Sequence, residues 1–204
     1  MFLTGRTRRW KCVTVIEKFS FDLHIPGSRI LQQFRPAEGP AFSALKEVRK
    51  KMILVKDDLE LRTHTVMKLV AYILFYDPRL MIEFSVDMHY KPDLVIPGDH
   101  GVPELWIDCG QIAVKKVESL AAKLRTTRIC LVKETKRELD SFRRVIEKKV
   151  EHPERVRYLA FEKGFVSGIA ESLARTNQVT VYEVMDNVLG VALNDEVFES
   201  TLYR

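Results

Sequence analysis

HYKPDLVIPGDHGVPELWIDCGQIAVKK, residues 89–116, sets one aspartate behind a proline, Asp93, and a second, Asp108, inside an apolar run. Between them stand Pro97, Gly98 and Gly101, so KPDLVI and ELWIDC read as the two strands of an antiparallel hairpin. Side chains alternate faces along a strand, which puts Lys91, Asp93 and Val95 on one side, and Trp106 with Asp108 on one side of the next strand. In the natural register around the turn, the two carboxylates approach each other on one sheet surface. Such a pair repels unless a proton or a cation lies between them, and a hard divalent ion is the usual resolution. The placement of Asp108 within LWIDC strengthens the reading, because burying a carboxylate without a partner costs several kcal/mol.

Outward from the hairpin the pattern is α/β. MIEFSV reads as a short strand before it. Residues 57–76, DDLELRTHTVMKLVAYILFY, carry acids in the first turn and apolar residues at Val66, Leu69, Val70, Ile73 and Leu74, the spacing of a buried helix that Asp77-Pro78 ends. After the hairpin, a helix over 112–124 and the apolar strand RICLVK suggest a crossover. A charged helix (134–151), a strand (156–161), a helix (163–175) and two final strands follow. Before residue 57 the readings are a strand within 12–25 and a short charged helix at 41–51. The chain is therefore expected to be a single α/β domain over residues 1–204, with its core at 57–133, a mixed sheet flanked by helices, and residues 1–11 as a candidate flexible start.

With 204 residues and 46% hydrophobic content, the chain suffices for one well-buried domain. It has no apolar run of the roughly 20 residues a membrane span needs and no signal-peptide pattern, so a soluble, cytoplasmic protein is expected. Three cysteines without paired spacing argue against a zinc site or a disulfide framework. The 33 Lys and Arg against 28 Asp and Glu give a net charge of +5, which permits a polyanionic partner without demanding one. Walker A, dinucleotide-fingerprint, serine-elbow and zinc patterns are absent. Trp106 and Cys109 read as core residues, and His64 as a hydrogen-bonded core histidine.

An acid after a proline on one strand, an acid within an apolar second strand, and an αβββαβ order resemble the PD-(D/E)XK, or restriction-endonuclease-like, nuclease superfamily. More closely, MKLVAYILFYDPRL, KPDL and ELWIDCGQ followed by Lys115 and Lys116 resemble the YaeQ family, small bacterial proteins on that fold. The resemblance spans residues 59–132. It implies a restriction-endonuclease-like core, Mg²⁺ or Mn²⁺ held by Asp93 and Asp108, and hydrolysis of a nucleic-acid phosphodiester, with a lysine polarising the attacking water. In the superfamily that lysine stands two residues after the second acid, and here the position is Gly110. Gln111, Lys116 or Lys115 are the candidates to replace it, with Lys91 a third lysine in reach. Glu60 is the candidate metal-ligating carboxylate from the first helix. The rival reading is a catalytically silent descendant that binds nucleic acid or a protein partner through its basic helices.

Overall fold

The structure, a computed structural model, describes residues 16–25, 47–185 and 187–204. Its organising element is α1 (Arg62–Leu74), in which every residue from Thr65 to Leu74 is buried. A helix apolar on one stripe needs one neighbour, whereas a helix buried all round needs neighbours on both sides. Those neighbours are two five-stranded sheets.

One sheet runs β10-β9-β8-β1-β2, formed from β1 (Glu17–Ile25), β2 (Val48–Lys56), β8 (Thr176–Met185), β9 (Val188–Leu193) and β10 (Glu196–Thr201). The other runs β3-β4-β5-β6-β7, from β3 (Met81–Ile82), β4 (Leu94–Ile96), β5 (Leu105–Cys109), β6 (Arg128–Thr135) and β7 (Val156–Phe161). Both are mixed. β1 is antiparallel to β2 but parallel to β8, while β4 is antiparallel to β5 and the β5, β6 and β7 strands run parallel.

Between the sheets, α1 and α4 (Phe165–Glu171) fill a shared core that joins Phe21, Leu23 and Val191 of the first sheet to Leu94, Ile107 and Val132 of the second. On the far side of the second sheet, α2 (Val114–Lys123) and α3 (Lys136–Lys149) cover Trp106, Ile129 and Leu131 with Val117, Leu120 and Ile146. Thr135 starts α3 by accepting the Glu138 amide at 3.3 Å, an ordinary N-cap. The chain is thus a single α/β domain of four layers. No helix among the described residues is long and apolar enough to cross a membrane.

The hairpin, the α2 crossover and β6 lie where the sequence puts them, whereas α1 starts only at Arg62, so that Asp57, Asp58 and Glu60 precede it instead of forming its first turn, and of MIEFSV only Met81–Ile82 is strand. The turn is tight at Gly98, where an added Cβ would run into the Val102 carbonyl. Three further expectations are corrected. Residues 48–51, read as part of a charged helix, belong to β2, because VRKKMILVK buries Met52 and Leu54 in strand alternation against β1. The chain ends in three strands instead of two, since residue 187 turns the chain with Asn187 at φ 63°. The single mixed sheet is replaced by two. The expected flexible start at 1–11 and the helix at 41–46 lie outside the described residues.

Because Ile73 is fully buried between both sheets, Ile73→Ala should destabilise the domain by about 2–5 kcal/mol, read from urea unfolding.

Candidate functional site

Leu94 pairs with Ile107, and the next step outward sets Asp93 against Asp108, with the Asp93 amide donating to the Ile107 carbonyl at 3.1 Å. The carboxylates then turn to different neighbours. Asp93 leans toward α1: its Oδ2 accepts the Cys109 amide at 2.7 Å and meets His64 Nε2 at 3.1 Å. Asp108, 2% exposed, faces α2, where it accepts the Trp106 indole N–H at 3.0 Å and the Lys116 ammonium at 2.8 Å. Burial pushes the Asp108 carboxyl above the usual aspartate range, Lys116 and Trp106 pull it back, and the charge of Asp93 pushes it up again. Lys116 also donates to the Lys91 carbonyl at 3.0 Å, which ties α2 to the strand carrying Asp93.

A polar row at helical spacing, Glu60 just before α1 and His64 and Lys68 on it, interrupts the apolar surface. Glu60 meets His64 Nδ1 at 2.8 Å and Lys68 at 2.6 Å, and Lys68, only 1% exposed, also binds Glu83 at 2.6 Å. His64 therefore stands between two carboxylates, one on each ring nitrogen. Burial opposes its charge, but the contacts to Asp93 and Glu60 prevail and raise its pKa to about 9. Burial likewise opposes the charge of Glu60, and the contacts from His64 and Lys68 hold its pKa down at about 2. At neutral pH the histidine is an imidazolium.

The structure answers the sequence candidates one by one. Lys116 reaches Asp108, whereas Lys115 is exposed one residue away, and Lys91 pairs with Glu83 at 3.7 Å. Glu60 is separated from the acid pair by the His64 ring. Trp106 is fully buried and Cys109 nearly so, as core residues. Gln111 is exposed and lines an open cleft of about 1110 Å³ between the start of α1, Gly110, the end of β6 and the first turns of α3. Asp93, Glu83 and Lys91 line a second depression, of about 420 Å³, which shares Glu60 and His64 with the first. Asp108 and Lys116 line neither.

His64, read from sequence as a core histidine, is the member that was missed. The signal was present in Glu60, His64 and Lys68, each four residues apart, but two of their partners, Asp93 and Glu83, are remote in sequence.

Among the described residues, no group of three or more His, Cys, Asp or Glu side chains converges as a metal site. With both nitrogens engaged by carboxylates, His64 offers no lone pair to zinc. Asp93 and Asp108 are hard oxygen donors of the kind Mg²⁺ takes, but Asp93 turns to α1 and Asp108 to α2, on opposite sides of the sheet, instead of sharing the one surface that strand alternation predicts.

A family model described as YaeQ protein matches residues 52–202, from β2 to β10. The chain belongs to the YaeQ family. A search of the curated proteins finds no match. Among solved structures, the YaeQ protein from Xanthomonas axonopodis pv. citri superposes with a TM-score of 0.72 at 15% identity, covering 92% of this chain and 97% of that one. The YaeQ protein from Pseudomonas syringae gives a TM-score of 0.64 at 17% identity, with 93% and 94% covered. At these identities the likeness to the YaeQ structures shows the fold.

The coupling of His64 to its carboxylates predicts a pH signature. A raised histidine pKa gives stability that is complete below its ordinary value of 6.5 and is lost as pH rises through about 9. For Glu60 the sign reverses: its contribution holds above 4.5 and is lost as pH falls through about 2. In an NMR titration, His64 should titrate near 9 in the native protein and shift toward 6.5 in Asp93→Asn; an unshifted curve in the variant would refute the coupling.

Gly110 adopts a backbone conformation that side chains resist. Its φ of +71° is left-handed, and an added Cβ would sit 3.3 Å from the Met67 terminal methyl. Gly110→Lys should therefore cost about 1–2 kcal/mol from the backbone, seen as a lowered urea midpoint.

Proposed function

We propose that the chain has a restriction-endonuclease-like core and is a metal-dependent phosphodiesterase acting on nucleic acid. The observation that carries the reading is the contact of the Lys116 ammonium with Asp108 at 2.8 Å, beside Asp93, whose amide donates to the neighbouring Ile107 carbonyl. The succession α1-β3-β4-β5-α2-β6 supports the core assignment. In this reading Asp93 and Asp108 hold Mg²⁺ or Mn²⁺, which supplies positive charge against the oxygens of the scissile phosphate. The other work belongs to side chains of this protein. Lys116 takes over from the absent lysine at 110 and orients the attacking water by charge-assisted hydrogen bonding. His64 and the Cys109 amide fix the rotamer of Asp93, and Trp106 fixes Asp108. Gln111 stands at the cleft to meet the substrate backbone.

A second reading has its own observation. Asp108 is 2% exposed and already paired with Lys116, so its charge is answered without a metal. A protein of this kind would bind nucleic acid or a protein partner and leave it intact. The exposed Lys136, Arg137, Arg144, Lys148 and Lys149 of α3 would provide the contact.

Labelled single- and double-stranded DNA and RNA, incubated with Mg²⁺ or Mn²⁺, separate the two. Cleavage by the native protein should fall by about 100-fold or more in Lys116→Met and in the Asp93→Ala, Asp108→Ala double variant. Calorimetry should show Mg²⁺ binding weakened at least about tenfold in Asp108→Asn. Intact substrate with the native protein sinks the enzyme reading in favour of the binding protein.

A further inference from the structure

The proposed chemistry leaves one buried cation without a task. Lys133, at the end of β6, is 7% exposed, and its ammonium donates to the Gly110 carbonyl and lies 3.9 Å from the centre of the Phe142 ring. Neither neighbour carries a negative charge. Among the described residues no carboxylate comes within ion-pair distance of it, in contrast to Lys68 and Lys116, the other two cations drawn into this region. Burial of an ammonium without a counter-ion is unfavourable, and here it pushes the lysine below its usual range, with Glu138 pulling the other way. Lys133 nonetheless lines the 1110 Å³ cleft.

That cleft adjoins Asp93 and the end of the strand that carries Asp108. His64 lines it and holds Asp93, and Gly110, whose carbonyl Lys133 grips, follows Asp108 by two positions. Its rim is apolar: Leu59 is 99% exposed and Leu61 71% exposed. Arg137 also lines it. The acids there are Glu60, which already has two cationic partners, Glu138, and Glu134, whose carboxyl is raised by burial and then by the charge of Glu138.

We infer that this cleft binds one nucleotide unit of a nucleic-acid strand beside the acid pair, with Lys133 taking its phosphate and the rim leucines supporting its base. The inference deepens the nucleic-acid reading above and depends on it for the choice of ligand. A phosphate supplies the counter-ion that the ammonium lacks, and a base supplies an apolar face for leucines that otherwise stand in water. An inorganic anion would satisfy the first requirement and not the second.

The test is fluorescence anisotropy of a dye-labelled, 5′-phosphorylated oligothymidylate, with EDTA present so that binding is read without cleavage. Lys133→Met, which keeps an apolar stem against Phe142, should weaken binding about tenfold, the scale of one charge-assisted contact. It should also lower the slope of log affinity against log salt by about 0.7, one phosphate on a single strand. Lys133→Arg should keep that slope. A purely structural lysine would not move the slope, so a thermally stable Lys133→Met variant with native slope and affinity overturns the inference, as does a native protein that does not bind. Leu59→Ser, on the surface and harmless to folding, should weaken the oligonucleotide and leave inorganic phosphate, followed by NMR, unchanged. If it binds the oligonucleotide as the native protein does, the nucleotide assignment is overturned. A native protein that binds through Lys133 but never cleaves with Mg²⁺ or Mn²⁺ overturns the catalytic reading and leaves this one standing.

Discussion

The burial of α1 on both sides is the constraint from which the rest of the molecule follows. A helix clamped between two sheets has no wet face on which to place a charge, so any ionised group it carries must find its partner inside the protein. Lys68, 1% exposed, meets this demand with Glu60 and Glu83, and His64 meets it with Glu60 and Asp93. These requirements draw the loop holding Glu83 and the start of β4 to the helix. The polar site is therefore assembled by the packing of the core as much as by the strands that bear the aspartates.

The same constraint gives the site its electrical character. Asp93 is answered by an imidazolium, Asp108 by Lys116 and Glu60 by Lys68, so the acids stand in a matched array. Lys133 is the exception, with a carbonyl and an aromatic ring where the others have carboxylates. Where matched charges contribute to stability, an unmatched one is held by the rest of the fold, and such positions are where ligands find a purchase.

What could be read from the sequence was local. The hairpin was marked by its turn residues, α1 by its apolar spacing, and the parallel β5-α2-β6 unit by the apolar run RICLVK, while the acids at 57, 58 and 60 stand ahead of the helix they suggested. The same hairpin predicts the two carboxylates on one sheet surface, whereas Asp93 turns to His64 of α1 and Asp108 to Lys116 of α2. What could not be read was distant or two-faced. The pairing of β1 with β8 joins segments whose local patterns say only that each is a strand. VRKKMILVK has a charged outer face that imitates a helix, and only its pairing with β1 shows which residues turn inward. His64 looked like a core residue because its partner Asp93 stands 29 positions away. Lys133 sat inside a charge-rich stretch, and nothing in that stretch marks it as the lysine that turns into the protein while its neighbours Lys136 and Arg137 face water.

The parallel pairing of β1 with β8 has a consequence for how the molecule is built. Ser20 of β1 is tied to Asn177, 157 positions further along the chain, and β8 is also the strand on which β9 and β10 are added. The first sheet therefore closes only when most of the polypeptide has been made, and until then one side of α1 lacks its cover. Loops that long are slow to close, and an apolar helix left half-wet during that interval is a natural client for chaperones. Catalytic or not, the polar site is completed late, since the helix that carries His64 is not fully seated until the last strands arrive.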